Sequence, residues 1–507
     1  MSRVNNSLLN LKSSIINQIV IFVLNFVVRM IFVRILSAEY LGVNGLFNNI
    51  ITVLSFAELG IGSAIVFSMY EPLLNNDMHM LNGLMNLYKR AYWIIGLVII
   101  VVGSSLTPFL KYFIKELPQI DHLSIIYLLF VFSSGITYLF SYFQSYLIAD
   151  QKNYIVIRYR IKFNIISSIF QIVVLLAFRN FIFYLMIKLG VPILEQLLIS
   201  RKTLKIYPHL QQKDKFELKA TDKRRIYKNI RAMFLHKTGG IVVSGTDNLL
   251  ISKFVGIVQV GLYSNYLLII TSFNKIYNIF SSSITASIGN LGATKDTERL
   301  LFIYQCLDMI GYWFFGFSSI FLALLFNPLI ELLFGAHYLL EPQTVSLIII
   351  SYYLTGRRRA VLNFREALGL FWYDRYKPIF ESTVNIVVSV FLAIRMGVDG
   401  VILGTIISTV VVSFWVEPIV LYKYGFSRSS REYFIRYFIE IIAVAIIGFG
   451  LVFITSRFNL NQIATLLIRT GLGLVVPSIC IFLVYRRTKE FAFIMPIFKK
   501  LFRKTNR

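Results

Sequence analysis

Apolar runs of roughly 20 residues recur from one end of this 507-residue chain to the other. Each is long enough to cross ~30 Å of hydrocarbon. About 14 of them begin near Ser13, Leu41, Tyr88, Leu123, Tyr154, Asn180, Met233, Val260, Leu301, Thr344, Pro378, Val401, Phe434 and Ile463. Charged residues make up 15% of the chain, against about 25% in soluble domains. The predicted fold class is therefore all-α: a polytopic membrane protein with most of its length in lipid.

A net charge of +26 invites a nucleic-acid reading, and the distribution of that charge excludes it. With Met1 inside, the two tails and the even-numbered connections hold 39 of the 51 Lys and Arg. The opposite side holds Lys111, Lys115, Arg179, Arg395 and Arg457. This is the positive-inside pattern, which predicts a cytoplasmic membrane protein with both termini cytoplasmic. The expected partners of its basic loops are anionic membrane lipids. Cys306 and Cys480 fall in apolar runs and read as packed small hydrophobes. The first run follows a short polar lead with no small-residue cleavage site after it, so it is expected to persist as a helix.

One long polar connection, Arg201–Arg231, carries 11 Lys and Arg against Asp214, Glu217 and Asp222. It divides six spans from eight. A shift of 219 residues lays Phe32–Asp77 on Ile251–Asp296 without a gap, with eight identities in 46 positions, Gly42 on Gly261 among them. Six spans is an even number, so such a repeat would be parallel, related by an axis along the membrane normal. The expected layout is an N-terminal lobe over 1–200, a basic linker over 201–232 and a C-terminal lobe over 233–425. Two added spans and a basic tail follow over 426–507. Two such lobes would enclose a central cleft.

Polar residues in four spans recur at helical intervals, so each helix would carry one hydrophilic stripe. Span one has Gln18, Asn25 and Arg29; span two has Asn44, Asn48, Thr52, Ser55 and Glu58. Span seven has His236, Lys237, Thr238, Ser244, Thr246, Asp247 and Asn248. Span eight has Thr271, Asn274, Lys275, Asn278, Ser282 and Thr285. Singly, such residues are ordinary glue between membrane helices. Together with cations, in repeat-related spans, they predict a hydrated cavity.

Seven basic residues fall inside apolar spans: Arg29, Arg34, Lys188, Lys237, Lys253, Lys275 and Arg469. Charge at that depth costs ~2.5–3.5 kcal/mol on insertion scales, so it usually faces a cavity or a substrate path. Arg29 and Lys275 are the best candidates to receive an anion. Lys237 reads as either cavity lining or an anchor, and Asp247 as a partner of Arg29. Glu58 reads as a partner for a cation or the carrier of a coupling proton, and Asn25, Asn48 and Asn278 as cavity lining. Arg34 and Lys253 stand near span ends and can snorkel. Lys188 and Arg469 lack a stripe and read as structural, and Arg357-Arg358-Arg359 as a topology anchor.

No P-loop, HExxH or CxxC pattern is present, and no spacing of residues suggests catalysis or a metal site. The expected protein is a transporter with no cofactor and no enzymatic activity, open to H⁺ or Na⁺ coupling. A membrane glycosyltransferase or polymerase is disfavoured by the short outer loops, the longest being about Asn327–Glu341.

The stretches Val33–Phe47 and Leu54–Ala64 resemble the opening of bacterial polysaccharide flippases of the Wzx type. These belong to the multidrug/oligosaccharidyl-lipid/polysaccharide exporter superfamily. Asp247–Gly256 with Val260–Tyr263 is similar to that family's seventh span, and Gly397–Ser408 to its twelfth. The resemblance implies a flippase for undecaprenyl-diphosphate-linked oligosaccharide, used for capsule, exopolysaccharide or O-antigen. It implies a cationic cavity for the diphosphate, and polysaccharide polymerase and glycosyltransferases as functional partners. The alternatives are a cation-coupled multidrug exporter of the same superfamily and a flippase for lipid II or a teichoic precursor.

Overall fold

In the computed structural model the chain is helical, with no strand among the described residues. Those residues are 3–58, 61–116, 118–211, 218, 220, 224, 226–227, 230, 245–293, 296–457 and 461–503. The chain divides into two compact units, Met1–Ser264 and Asn265–Arg507.

In the first unit the helices are α1 (Arg3–Ile35), α2 (Ala38–Leu54), α3 (Ile61–Asn75), α4 (Met78–Ser105), α5 (Leu123–Ala149), α6 (Asn153–Phe178) and α7 (Phe181–Ile206). Helix α8 (Ile257–Ala293) begins there and continues into the second unit. The second unit adds α9 (Thr297–Phe334), α10 (Pro342–Arg357), α11 (Arg359–Ala367), α12 (Lys377–Met396) and α13 (Val398–Ser408). Then come α14 (Phe414–Val420), α15 (Arg431–Ser456), α16 (Gln462–Tyr485) and α17 (Lys489–Arg503).

Ten segments among the described residues are long and apolar enough to cross a membrane. The expected spans missing from that set are two, seven, eight and ten. Span seven begins outside the described residues, while spans two and eight carry polar stripes, whose residues also lower their hydropathy. Span two is also interrupted. Asn48, Thr52 and Ser55 turn their side chains back onto the carbonyls of Asn44, Asn48 and Ile51 at 2.5, 2.8 and 2.8 Å. Such back-bonding competes with the helix ladder, and the helix tightens into a 3₁₀ turn at Ser55–Glu58. Span ten is short because α10 ends at Arg357.

Lipid supplies no drive to bring helices together, so the units are held by small-residue contacts and buried polar pairs. Gly96 and Gly135 let α4 and α5 cross closely; a Cβ on either would lie 2.8 or 3.0 Å from the other's carbonyl oxygen. Asn385 on α12 donates to Thr405 on α13 at 3.0 Å. The first unit has an aromatic seam in which Tyr88, Tyr92, Tyr142 and Tyr146 pack among Leu81, Leu84, Ile95 and Ile99.

The Arg357-Arg358-Arg359 run is not a simple surface anchor. Arg357 is 1% exposed and bridges Asp308 of α9 at 3.1 Å and Glu440 of α15 at 2.6 Å. Arg436 and Tyr485 complete the shell of Glu440. Arg358 is shared between Glu381 at 3.0 Å and Glu417 at 2.7 Å, and Lys377 joins both carboxylates. Arg365 pairs with Asp374. Buried charges persist only when matched this way, and here they tie α9, α10, α11, α12, α14 and α15 together.

Candidate functional site

In the first unit, α1, α2, α5 and α7 converge on two cations. Arg29 of α1 donates through Nη2 to the Ser264 hydroxyl at the start of α8. Lys188 of α7 donates through Nζ to Asn44 Oδ1 of α2 at 2.5 Å. Its ammonium stands 5.9 Å from the centre of the Phe130 ring and 6.0 Å from that of Tyr184. Arg29 lies within electrostatic reach of both Lys188 and Tyr184.

The local sequence explains the placement. Phe32 packs on Phe181 and Tyr184 at 5.9 and 5.0 Å, which docks α1 on α7 one turn from each cation. Asn48 stands one turn beyond Asn44, to which its amide donates at 2.5 Å (carbonyl) and 3.3 Å (side chain). Lys188 has no carboxylate within ion-pair distance among the described residues. A half-buried ammonium with one neutral acceptor and a neighbouring guanidinium has the charge and the donors to attract an anion.

The expected residues fall as follows. Arg29 is half-buried in this cluster, with Asn25 one turn away and exposed. Asn48 is exposed beside Asn44. Asp247 is half-buried and within electrostatic reach of Tyr263. Glu58 accepts from Tyr92 at 2.9 Å; Tyr92 is joined to Tyr88 at 3.1 Å, and Tyr88 to Ser145 at 3.0 Å. Its partner is thus a tyrosine hydroxyl, and no cation is paired with it among the described residues. Lys237 lies outside the described residues. Arg34 and Lys253 are both exposed at the ends of their helical segments, where they can snorkel. In the second unit Thr271, Lys275 and Asn278 form an exposed polar stripe on α8.

Sequence reasoning missed Lys188. The stripe that would have found it is on α7: Glu195, Gln196, Ser200 and Thr203 share one broad face with Lys188 and are all buried. Glu195 meets Arg160 at 3.6 Å and Gln196 meets Gln144 at 3.4 Å.

One further contact bears on the repeat. A Cβ on Gly42 would collide with the carbonyl oxygen of Ile257. A Cβ on Gly261 would collide with that of Ala38 and lie 3.1 Å from the Gly42 amide nitrogen. Positions 38 and 42 are related to 257 and 261 by the same shift of 219 residues.

These features define a multi-pass membrane protein with an all-helical fold. No protein-family model and no curated protein matches the sequence. Solved structures do share the fold. The lipid II flippase MurJ, in an inward closed conformation, superposes with a TM-score of 0.64 at 16% identity, covering 93% of this chain and 98% of that one. The Vibrio cholerae MATE transporter VcmN gives 0.58 at 13%, covering 84% and 99%. An inward-facing multidrug resistance MATE family transporter of the MOP superfamily gives 0.57 at 12%, covering 82% and 98%. The chain therefore has the fold of MOP-superfamily transporters.

Proposed function

We propose that this chain is a flippase that moves an undecaprenyl-diphosphate-linked oligosaccharide from the cytoplasmic to the outer leaflet by alternating access. The product would feed capsule, exopolysaccharide or O-antigen assembly. A diphosphate with a glycan attached cannot enter hydrocarbon unaided, because its charges and hydroxyls would lose their hydration. A polar surface with fixed cations replaces that water while the polyprenyl tail stays in lipid.

The observation that carries the reading is the nearness of Arg29 to Lys188, with Lys188 donating to the neutral Asn44 and Arg29 donating to Ser264. Two adjacent cations without a carboxylate on Lys188 suit two phosphate groups and repel an organic cation. Asn25 and Asn48 extend the set in this proposal, and Lys275 and Asn278 on α8 are the candidates of the second unit. Lipid II carries the same diphosphate chemistry, and the MurJ fold likeness keeps it as the nearest alternative substrate. A drug cation would use Glu58 or Asp247 instead, and the MATE fold likeness motivates that second reading.

The test is a proteoliposome assay with a fluorescent polyprenyl-diphosphate oligosaccharide, using dithionite quenching to report its leaflet. Wild type is expected to move the lipid outward, and Arg29→Glu and Lys188→Glu to abolish movement. Normal rates in both variants would remove the cation pair from the substrate path.

A further inference from the structure

Arg359 differs from its two neighbours. Arg357 and Arg358 are each held by two carboxylates, whereas Arg359 has no hydrogen bond or ion pair among the described residues. It is half-buried rather than splayed into solvent, as a topology anchor would be. Burial and the adjacent Arg358 both push its pKa down, with Tyr277 the opposing influence. The protein thus holds a charge at a cost, with no counter-charge among the described residues.

Beside Arg358, its neighbours include neutral hydrogen-bonding groups. Asn363, one turn along α11, donates its amide to Ser281 of α8. Tyr277, which Arg359 senses electrostatically, stands one turn before Ser281. The exposed stripe Thr271, Lys275 and Asn278 continues on the same helix, with Asn278 adjoining Tyr277. From Lys275 to Ser281 is six residues, a rise of about 9 Å. Lys275 also lacks a carboxylate partner among the described residues.

The geometry points to a second anion site in the Asn265–Arg507 unit, in which Arg359, with Asn363 and Tyr277, binds the phosphate of a lipid headgroup. It stands beside the buried Tyr277–Ser281 face of α8, adjacent to the face that carries the Thr271–Asn278 stripe, in the connection that the distribution of basic residues places inside the cell. Reading that phosphate as the substrate's own, captured before it reaches Lys275, rests on the flippase proposal. The other source of the same chemistry is a resident membrane phospholipid.

The experiment uses the full chain in nanodiscs of zwitterionic phosphatidylcholine, titrated calorimetrically with geranyl diphosphate. A second arm counts phosphatidylglycerol retained in mixed nanodiscs by native mass spectrometry. Arg359→Gln is expected to weaken the anion it binds by about tenfold, the loss of one charge-assisted contact. Arg359→Lys should keep most of the affinity, and equal melting temperatures of all three proteins show that folding is intact. A loss confined to geranyl diphosphate identifies the substrate. A loss confined to phosphatidylglycerol identifies a structural lipid. Wild-type affinity of Arg359→Gln in both arms overturns the site, while a Lys275→Gln variant weakened for geranyl diphosphate would leave the flippase proposal standing. No binding of geranyl diphosphate by wild type, with phosphatidylglycerol retention still dependent on Arg359, would overturn the flippase reading and spare the site.

Discussion

Gly42 and Gly261 face each other's helix in a reciprocal contact: Gly42 lies against Ile257, and Gly261 lies against Ala38. The sequence shift of 219 residues turns the first contact into the second. Contacts related in this way are the mark of a two-fold axis, where a patch meets its own copy. Eight identities in 46 positions are weak alone, and this geometry gives one of them, Gly42 on Gly261, a shared physical task at both positions.

Side chains at these two positions should force the helix starts apart. Gly42→Val or Gly261→Val is expected to cost about 1–3 kcal/mol by overpacking, read as a lower melting temperature in detergent. The reciprocal geometry predicts similar losses from either substitution. A large loss at one site and none at the other would contradict it.

Lys188 separates stability from function. Its ammonium is half-buried with Asn44 as acceptor, and Asn44 keeps a second partner in Asn48 at 3.3 Å. Lys188→Met removes a costly charge and strands no carboxylate, so the protein should melt no lower than wild type. Flipping of a diphosphate-linked lipid should nevertheless fall about tenfold or more. A variant that transports normally would assign Lys188 a packing role only.

Arg357 predicts the opposite pattern. Its removal leaves Asp308 and Glu440 buried without their shared cation. Arg357→Ala should therefore cost about 3–5 kcal/mol and sharply reduce the folded protein recovered from membranes. Unchanged yield and melting temperature would show the network to be dispensable.

These cases mark what the sequence made legible. Apolar length alone gave the helical membrane class, and helical spacing located Asn44, Asn48, Thr52 and Lys275 on polar faces. Periodicity reads one helix at a time, however. Arg357 meets partners 49 and 83 residues away, and Lys188 meets one 144 residues away. No local pattern encodes such pairs, so Arg357 read as an anchor and Lys188 as structural, although the polar face of α7 marks where Lys188 lies. The break at Ser55–Glu58 was also hidden, because the polar side chains that mark the stripe are the ones that bond back onto the helix.

Charge reversal tests the two candidate cations of the separate units together. Arg29→Glu and Lys275→Glu should each abolish surface polysaccharide in a deletion strain complemented with the variant, with the protein still present in membranes. Arg29→Lys should retain more activity than Arg29→Glu, since it keeps the charge. Normal polysaccharide in both reversal variants would take Arg29 and Lys275 out of the transport path.

The sign of the transported charge decides between flippase and drug exporter, and the membrane potential reports that sign. Outward movement of negative charge from an inside-negative compartment is favoured by about 2.3 kcal/mol per charge per 100 mV, and outward movement of positive charge is opposed by as much. A diphosphate headgroup moved by Arg29 and Lys188 should therefore cross faster in proteoliposomes polarised with a potassium gradient and valinomycin. An organic cation carried against Glu58 or Asp247 should cross more slowly unless ion exchange compensates. Since Lys188 remains in the protein throughout, its own charge cancels over a full cycle, and only the cargo and any coupled ion contribute. A flipping rate that ignores the imposed potential would show that net charge movement does not drive the step, and would point to an exchanged proton or Na⁺ balancing the cargo.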